Sequence, residues 1–253
     1  MTLMWTLFDE LEEMTRRSNV GTLFAPVEPG SRMARDDIRT QPYRVSHCIQ
    51  SLLNNAIEHA TSLAALVRTA GLMPGGPPFT LSRAAVESAA TGYWLLEPAE
   101  QKERIRRHLI HQSQDRFDLE TVSRMTADRT GEPIPTEVQD RKAYITDVRE
   151  AHSLPTLPRQ LKASEVIKEV DKVISSTTHF ELYWRTASGF GHGRPWARMH
   201  VLIKSEVMRI SDDIARVQFS TNPGRVLWCV AAAHELIDRT LNLYYAACRA
   251  PSS

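Results

Sequence analysis

Over 43–70 the apolar residues Val45, Ile49, Leu52, Ala56, Ala60, Leu63 and Val67 recur every three or four positions, which paints one face of a single long helix. The run ends at Gly71, and Pro74, Gly75, Gly76, Pro77 and Pro78 follow at once, a block that no helix continues through because glycine frees the backbone and proline lacks the donor. A second helix must therefore return beside the first. It is expected over 81–96, capped by Thr80, with Ala84, Ala85, Ala89 and Ala90 permitting close helix approach.

Beyond that hairpin most segments again read as helix. Pro98 suits the first position of a helix running to about Met125, with Ile105, Leu109, Leu119 and Val122 as its apolar stripe and a charged opposite face. Thr136 with Gln139, and Thr178 with Glu181, have capping-box spacing and predict helices to about His152 and through Phe180, Trp184 and Ala187. Ser164 starts a short helix between them, ending at Ile174. Gly189, Gly191 and Gly193 are expected to end or bend the helix opened at Thr178. In 196–220 the helical signal weakens and β-branched residues partly alternate, leaving room for a small β-hairpin near 198–219. Asn222 and Pro223 then open a final long helix through Val226, Val230, Ala233, Ile237, Leu241 and Tyr244.

The expected fold is all-α, an up-and-down bundle of seven to nine helices forming one domain over 1–253. Its core is expected from 42–125 and 178–249, with 126–177 as a helical insertion. A chain of 253 residues and 28.6 kDa supports this size of core, with a folded surface of about 11,000 Å² by the usual scaling. The formal charge of +1 creates no global field for nucleic acid or an acidic membrane, so any such binding must use a local patch. Three cysteines without CxxC spacing argue against a disulfide framework or thiolate zinc site and for a reduced, cytoplasmic setting. The apolar start, Met1 to Phe8, runs straight into Asp9 and Glu10 without a basic leader, and no membrane span is expected.

Several chemistries lack their signatures. No phosphate-cradling Gly-x-x-x-x-Gly-Lys and no dinucleotide Gly-x-Gly-x-x-Gly after a strand is present, so no cofactor is expected. No histidine has a glutamate three residues before it, and His234 lacks the second histidine of a zinc helix, so no metal ligands are assigned. Glu58, His59 and Glu87 do fall on neighbouring expected helices, which keeps a helical metalloenzyme as an alternative. Ser188 and His192, four apart, share a helical face and can hydrogen-bond there.

The most informative segment is Tyr183, Trp184, Arg185, Thr186, Ala187, Ser188, then the glycines alternating with Phe190 and His192. An arginine and a histidine separated by six residues suit metal-free RNA cleavage, in which imidazole moves protons around the 2′-hydroxyl and guanidinium stabilises the phosphorane. Here the chain resembles the HEPN superfamily, α-helical bundles that carry Arg-x(4 to 6)-His. The resemblance covers about 43–125 and 178–249. It implies a metal-independent endoribonuclease in a defence or toxin–antitoxin setting, with Arg185, His192 and Ser188 as catalytic residues. It also implies RNA as substrate, a protein antitoxin as partner, and a homodimer in which two such motifs line one cleft. Tyr183 and Trp184 are candidate base-stacking residues, and Arg106 and His111, in the basic run 104–111, are candidate phosphate contacts. Other members of the superfamily are helical domains without nuclease activity, so a non-catalytic module for a protein or small ligand is the competing expectation.

Overall fold

The computed structural model describes residues 2–158 and 160–251; Met1, Arg159, Ser252 and Ser253, which the expected domain 1–253 includes, lie outside the described residues. In chain order the elements are α1 (Thr2–Asn19), α2 (Arg32–Arg39), α3 (Val45–Arg68), α4 (Pro77–Leu96), α5 (Gln101–Thr130), α6 (Glu137–Ala151), α7 (Ala163–Val173), α8 (Phe180–Gly191) and α9 (Pro195–Val201), then strands β1 (Ile203–Arg209) and β2 (Ala215–Ser220), and α10 (Pro223–Cys248). The all-α bundle with a small hairpin is thus the observed architecture. The described residues hold ten helices, one beyond the expected range, because α1, α2 and α9 join those read from periodicity.

Helix α4 is the hub, packing on α3, α5, α7, α8 and α10. Its small residues explain why. A Cβ on Gly92 would lie 3.1 Å from Thr240 Cγ2, and Thr240 Oγ1 donates to Ala89 O at 3.0 Å, so α4 and α10 meet nearly backbone to backbone. Around this seam Phe8, Ile49, Ile57, Leu63, Phe79, Val86, Tyr183 and Leu236 are buried in the main core. Helix α7 joins it through Val166, Ile167 and Val170. A second, smaller cluster of Ile105, Leu109, Tyr144, Ile145 and Leu154 joins α5 to α6.

Several helix starts differ from expectation. Helix α4 begins at Pro77 and Thr80 is inside it, its hydroxyl turned back to Pro77 O at 3.0 Å. Helix α5 starts at Gln101 instead of Pro98, because the guanidinium of Arg104 holds the carbonyls of Pro98 and Ala99 at 2.9 and 2.6 Å in the preceding turn. It runs on to Thr130, where Gly131 takes the left-handed conformation, φ +74°, that closes a helix C-terminus. Val122, inside the expected range, is 61% exposed, so the apolar stripe is a core face only in its first half. Neither capping box forms. Thr136 makes no side-chain cap bond, and at α8 the first amide, Phe180 N, donates to Asp171 of α7 at 2.7 Å while Thr178 Oγ1 donates to Glu235. Asn222 does cap α10, accepting from Arg225 N at 2.9 Å.

The hairpin lies slightly later than expected, since Met199 and Val201 are in α9. Strands β1 and β2 pair antiparallel, with Val207 opposite Val217 and Arg209 opposite Ala215. Val207 and Met208, neighbours whose side chains point to opposite faces, are both exposed, whereas Phe219 near the base of β2 packs against the main core, so only the outer part of the ribbon is bare on both sides. Among the described residues no helix is long and apolar enough to cross a membrane.

Candidate functional site

Helix α8 owes its position to its buried face. Phe180, Tyr183, Ala187 and Phe190 enter the core, where Phe190 stacks on Phe79 with centroids 4.1 Å apart. Tyr183 is fully buried, its hydroxyl hydrogen-bonded to Ser82 and its ring edge-on to Trp228 at 4.9 Å. Burial, reinforced by the neighbouring Cys229 thiol, holds the phenol well above its usual pKa, and burial pushes that thiol up to about 11. Tyr183 is therefore a core group, and its ring has no open face on which a base could stack. Trp184 is half-buried at the rim; its indole N–H donates to Glu87 at 2.5 Å and the Arg83 guanidinium lies over its ring at 5.6 Å.

The outer face carries the Arg–His pair. Arg185 is exposed and donates to Glu181, one turn earlier, at 2.7 Å. His192 is the exposed C-cap residue of α8. Separations of three and seven residues place Arg185, Ser188 and His192 along one side of the helix, with Arg185 and His192 about 10 Å apart along the axis. The helix stops just beyond: Gly193, at φ +62°, donates to Phe190 O at 3.0 Å and Arg194 N to Gly189 O at 2.8 Å, the paired bonds of a Schellman end. The three glycines have different tasks. Helix α8 runs through Gly189 and Gly191, and only Gly193 ends it.

Ser188 and His192 are not joined by a hydrogen bond, for Ser188 Oγ is buried and without a partner while the imidazole faces out. Arg106 and His111 belong to a different part of the molecule. Both are on α5, which packs on α2, α4 and α6; Arg106 is held by Glu103 at 2.7 Å and His111 sits beside Cys48 of α3, Nδ1 to Sγ 3.5 Å. Glu87, one member of the notional metal set, is committed to Arg83 at 2.8 Å and to Trp184. Among the described residues no three His, Cys, Asp or Glu side chains converge as metal ligands.

What adjoins the Arg–His pair along the chain was missed by motif reasoning. From Leu182 to Ser205 the chain holds Arg185, Arg194, Arg198 and Lys204, with His192 and His200, and no Asp or Glu, a signal that was open to inspection in the sequence. In the fold Arg194, Arg198, Lys204 and, on β2, Arg216 are exposed and have no ion-pair or hydrogen-bond partner among the described residues. Elsewhere most arginines are paired, as Arg16, Arg68, Arg104, Arg107 and Arg141 are. Beside these cations Trp196 is 46% exposed.

No family model, no curated protein and no solved structure matches the chain. The functional reading therefore rests on this surface and on the chemistry of its residues.

Gly189 is the device that holds Trp196 there. A Cβ at this position would lie 2.7 Å from Trp196 Cζ2 and 2.8 Å from Ala197 Cβ, so α9 can cross α8 only over a bare backbone. In a solvated helix Gly→Ala is worth about 1 kcal/mol of added stability. Here the sign reverses: Gly189→Ala is expected to cost about 1–3 kcal/mol through overpacking. Urea unfolding together with a changed Trp emission spectrum checks this, and a stabilised variant with unchanged emission would contradict it.

Proposed function

We propose that this chain is a metal-independent endoribonuclease acting on single-stranded RNA at the α8–α9–hairpin surface. The observation that carries the reading is the exposed Arg185 and His192 on one side of α8, followed along the chain by Arg194, Arg198, Lys204 and Arg216, which have no partner among the described residues, and by exposed Trp196. Unpaired cations attract the phosphate backbone, and an exposed indole offers a base a stacking face. In this reading His192 takes the proton of a ribose 2′-hydroxyl and the freed oxygen attacks the adjacent phosphorus. Arg185 exchanges Glu181 for the phosphorane oxygens, and the departing 5′-oxygen takes a proton from an imidazolium or water. The products are a 2′,3′-cyclic phosphate and a 5′-hydroxyl. Pairing of two copies brings a second His192 to supply that proton. A cytoplasmic setting and a protein antitoxin belong to the same proposal.

The competing proposal is a non-catalytic partner module. It draws on the hairpin, where Val207, Met208, Ile210 and Ile214 are each more than half exposed. Phe219 ties the ribbon's base to the core, but a two-stranded ribbon is marginal in water by itself, so a partner that covers its outer part fits its composition.

One experiment separates the two. Purified protein is incubated with mixed tRNA and mRNA in excess EDTA, alongside His192→Ala and Arg185→Ala variants shown to be folded. Cleavage by wild type that falls by about 10²–10⁴-fold in His192→Ala is the expected result for loss of a general base. No cleavage, or equal cleavage by all three proteins, overturns the nuclease reading and leaves the partner module.

A further inference from the structure

The opposite region of the sequence, around the start of α3, holds a different site. A cavity of about 650 Å³ lies between the 21–27 segment, α2 and α3, and a second of about 290 Å³ lies between α3, α5 and α6. Arg44 and His47 line both and so stand at their junction. Both are exposed and neither side chain has an ion-pair or hydrogen-bond partner among the described residues. Arg44 is the N-cap residue of α3 and its side chain makes no capping bond. The carboxylates nearby are already engaged: Asp37 accepts from Ser46 N and Oγ at 2.9 and 2.6 Å, and Asp115 accepts from Arg141.

The inner wall asks for the opposite kind of group. Gln112 lines the smaller cavity, is 8% exposed, and its Oε1 is buried without a donor. One turn earlier on the same face of α5, His108 uses Nε2 on the carbonyl of Tyr43 at 2.8 Å, which leaves Nδ1 a bare acceptor, also buried and unpartnered. A buried acceptor without a donor costs about 1–3 kcal/mol, so Gln112, the one of these two that lines the cavity, is a standing demand for a hydrogen-bond donor. The smaller cavity is far larger than one water, whose share of liquid volume is about 30 Å³.

We infer that this groove binds a small organic carboxylate that carries a hydrogen-bond donor on a neighbouring carbon, as amino and hydroxy acids do. Arg44 and His47 hold the carboxylate at the junction, and the donor points inward toward Gln112 on α5. His111, whose pKa burial lowers, lines the same cavity and in its neutral form adds either a donor or an acceptor.

The test uses the full chain and four probes: L-serine and L-lactate, inorganic phosphate as an anion without the inward donor, and glycerol as a donor without charge. Thermal unfolding of wild type is expected to shift upward saturably with L-serine or L-lactate and not with phosphate or glycerol. Arg44→Ala, whose exposed side chain makes no ion pair or hydrogen bond among the described residues, is expected to lose the shift, and Arg185→Ala to keep it. Three results overturn the site: no saturable shift with either acid, an equal shift in Arg44→Ala, or a matching shift with phosphate or glycerol. Because Arg185 and the RNA surface take no part, failure here leaves the nuclease proposal standing, and the reverse also holds.

Discussion

Replacing Asp36 with alanine is expected to remove about 3–5 kcal/mol of folding stability, a large part of the 5–15 kcal/mol that a domain possesses. Asp36 and Arg104 are a buried pair, with side chains 2% and 3% exposed, joined at 2.6 Å (Nε to Oδ2) and 2.9 Å (Nη2 to Oδ1). The remaining guanidinium nitrogen holds the carbonyls of Pro98 and Ala99, so four of the cation's five N–H donors are directed. Take the carboxylate away and an uncompensated charge stays in the interior, tied to the turn that launches α5. The double variant Asp36→Leu with Arg104→Met is expected to be far milder than Asp36→Ala, because it removes both desolvated charges together. Urea unfolding of the three proteins measures this. A single variant within 1 kcal/mol of wild type would show that water reaches the pair.

Acid should weaken the fold well before carboxylates titrate. Burial, aided by the neighbouring His111, pushes His108 down to about 3, against 6.5 for the free side chain. Between those values the unfolded chain binds a proton that the folded one refuses, so stability rises with pH across this window and is complete above about 6.5. From pH 7 to pH 5 the expected loss from His108 is about 2 kcal/mol, at 1.36 kcal/mol for each unit below 6.5. His111 is shifted the same way by burial and adds to the slope. His108→Gln keeps a donor for Tyr43 and removes the titration. Its stability should therefore fall less steeply between pH 7 and pH 5, and identical slopes in the two proteins would place the acid sensitivity elsewhere.

The same residues explain which parts of the fold could be read from the chain. Helices α3 and α10 were legible because their buried faces are aliphatic and periodic; Val45, Ile49, Ala56 and Leu63, and Val226, Val230 and Ile237, are all core. Helix α2 was not, for its sequence is mostly charged and two of its three buried residues are Asp36 and Asp37, which find their partners on α5 and α3. Periodicity counts apolar residues and is blind to a helix that buries carboxylates. The capping signal at Thr178 failed because tertiary structure offered other partners: Thr178 donates to Glu235 on α10, and Asp171 of α7 holds the first amide of α8, that of Phe180. Of the candidate residues, Arg185 and His192 share a side of α8 as their spacing required, whereas Tyr183 could not be told from a stacking residue until its hydroxyl was seen to have a buried partner in Ser82. Arg106 and His111 entered on local charge alone, and local charge does not say which wall of a bundle a helix faces.

The seam between α4 and α10 also dictates an order of events during synthesis. Ala89 and Thr240, which join across it, are separated by 151 residues of chain. At about 5–20 residues per second a ribosome needs on the order of ten to thirty seconds to make that length. Throughout this interval α3 and α4 exist with the groove for α10 open, its Ala89, Gly92 and neighbouring apolar residues facing water. The nascent hairpin can form early, yet it cannot become a finished core until the last helix arrives, and in the meantime it is a surface that holdase chaperones recognise.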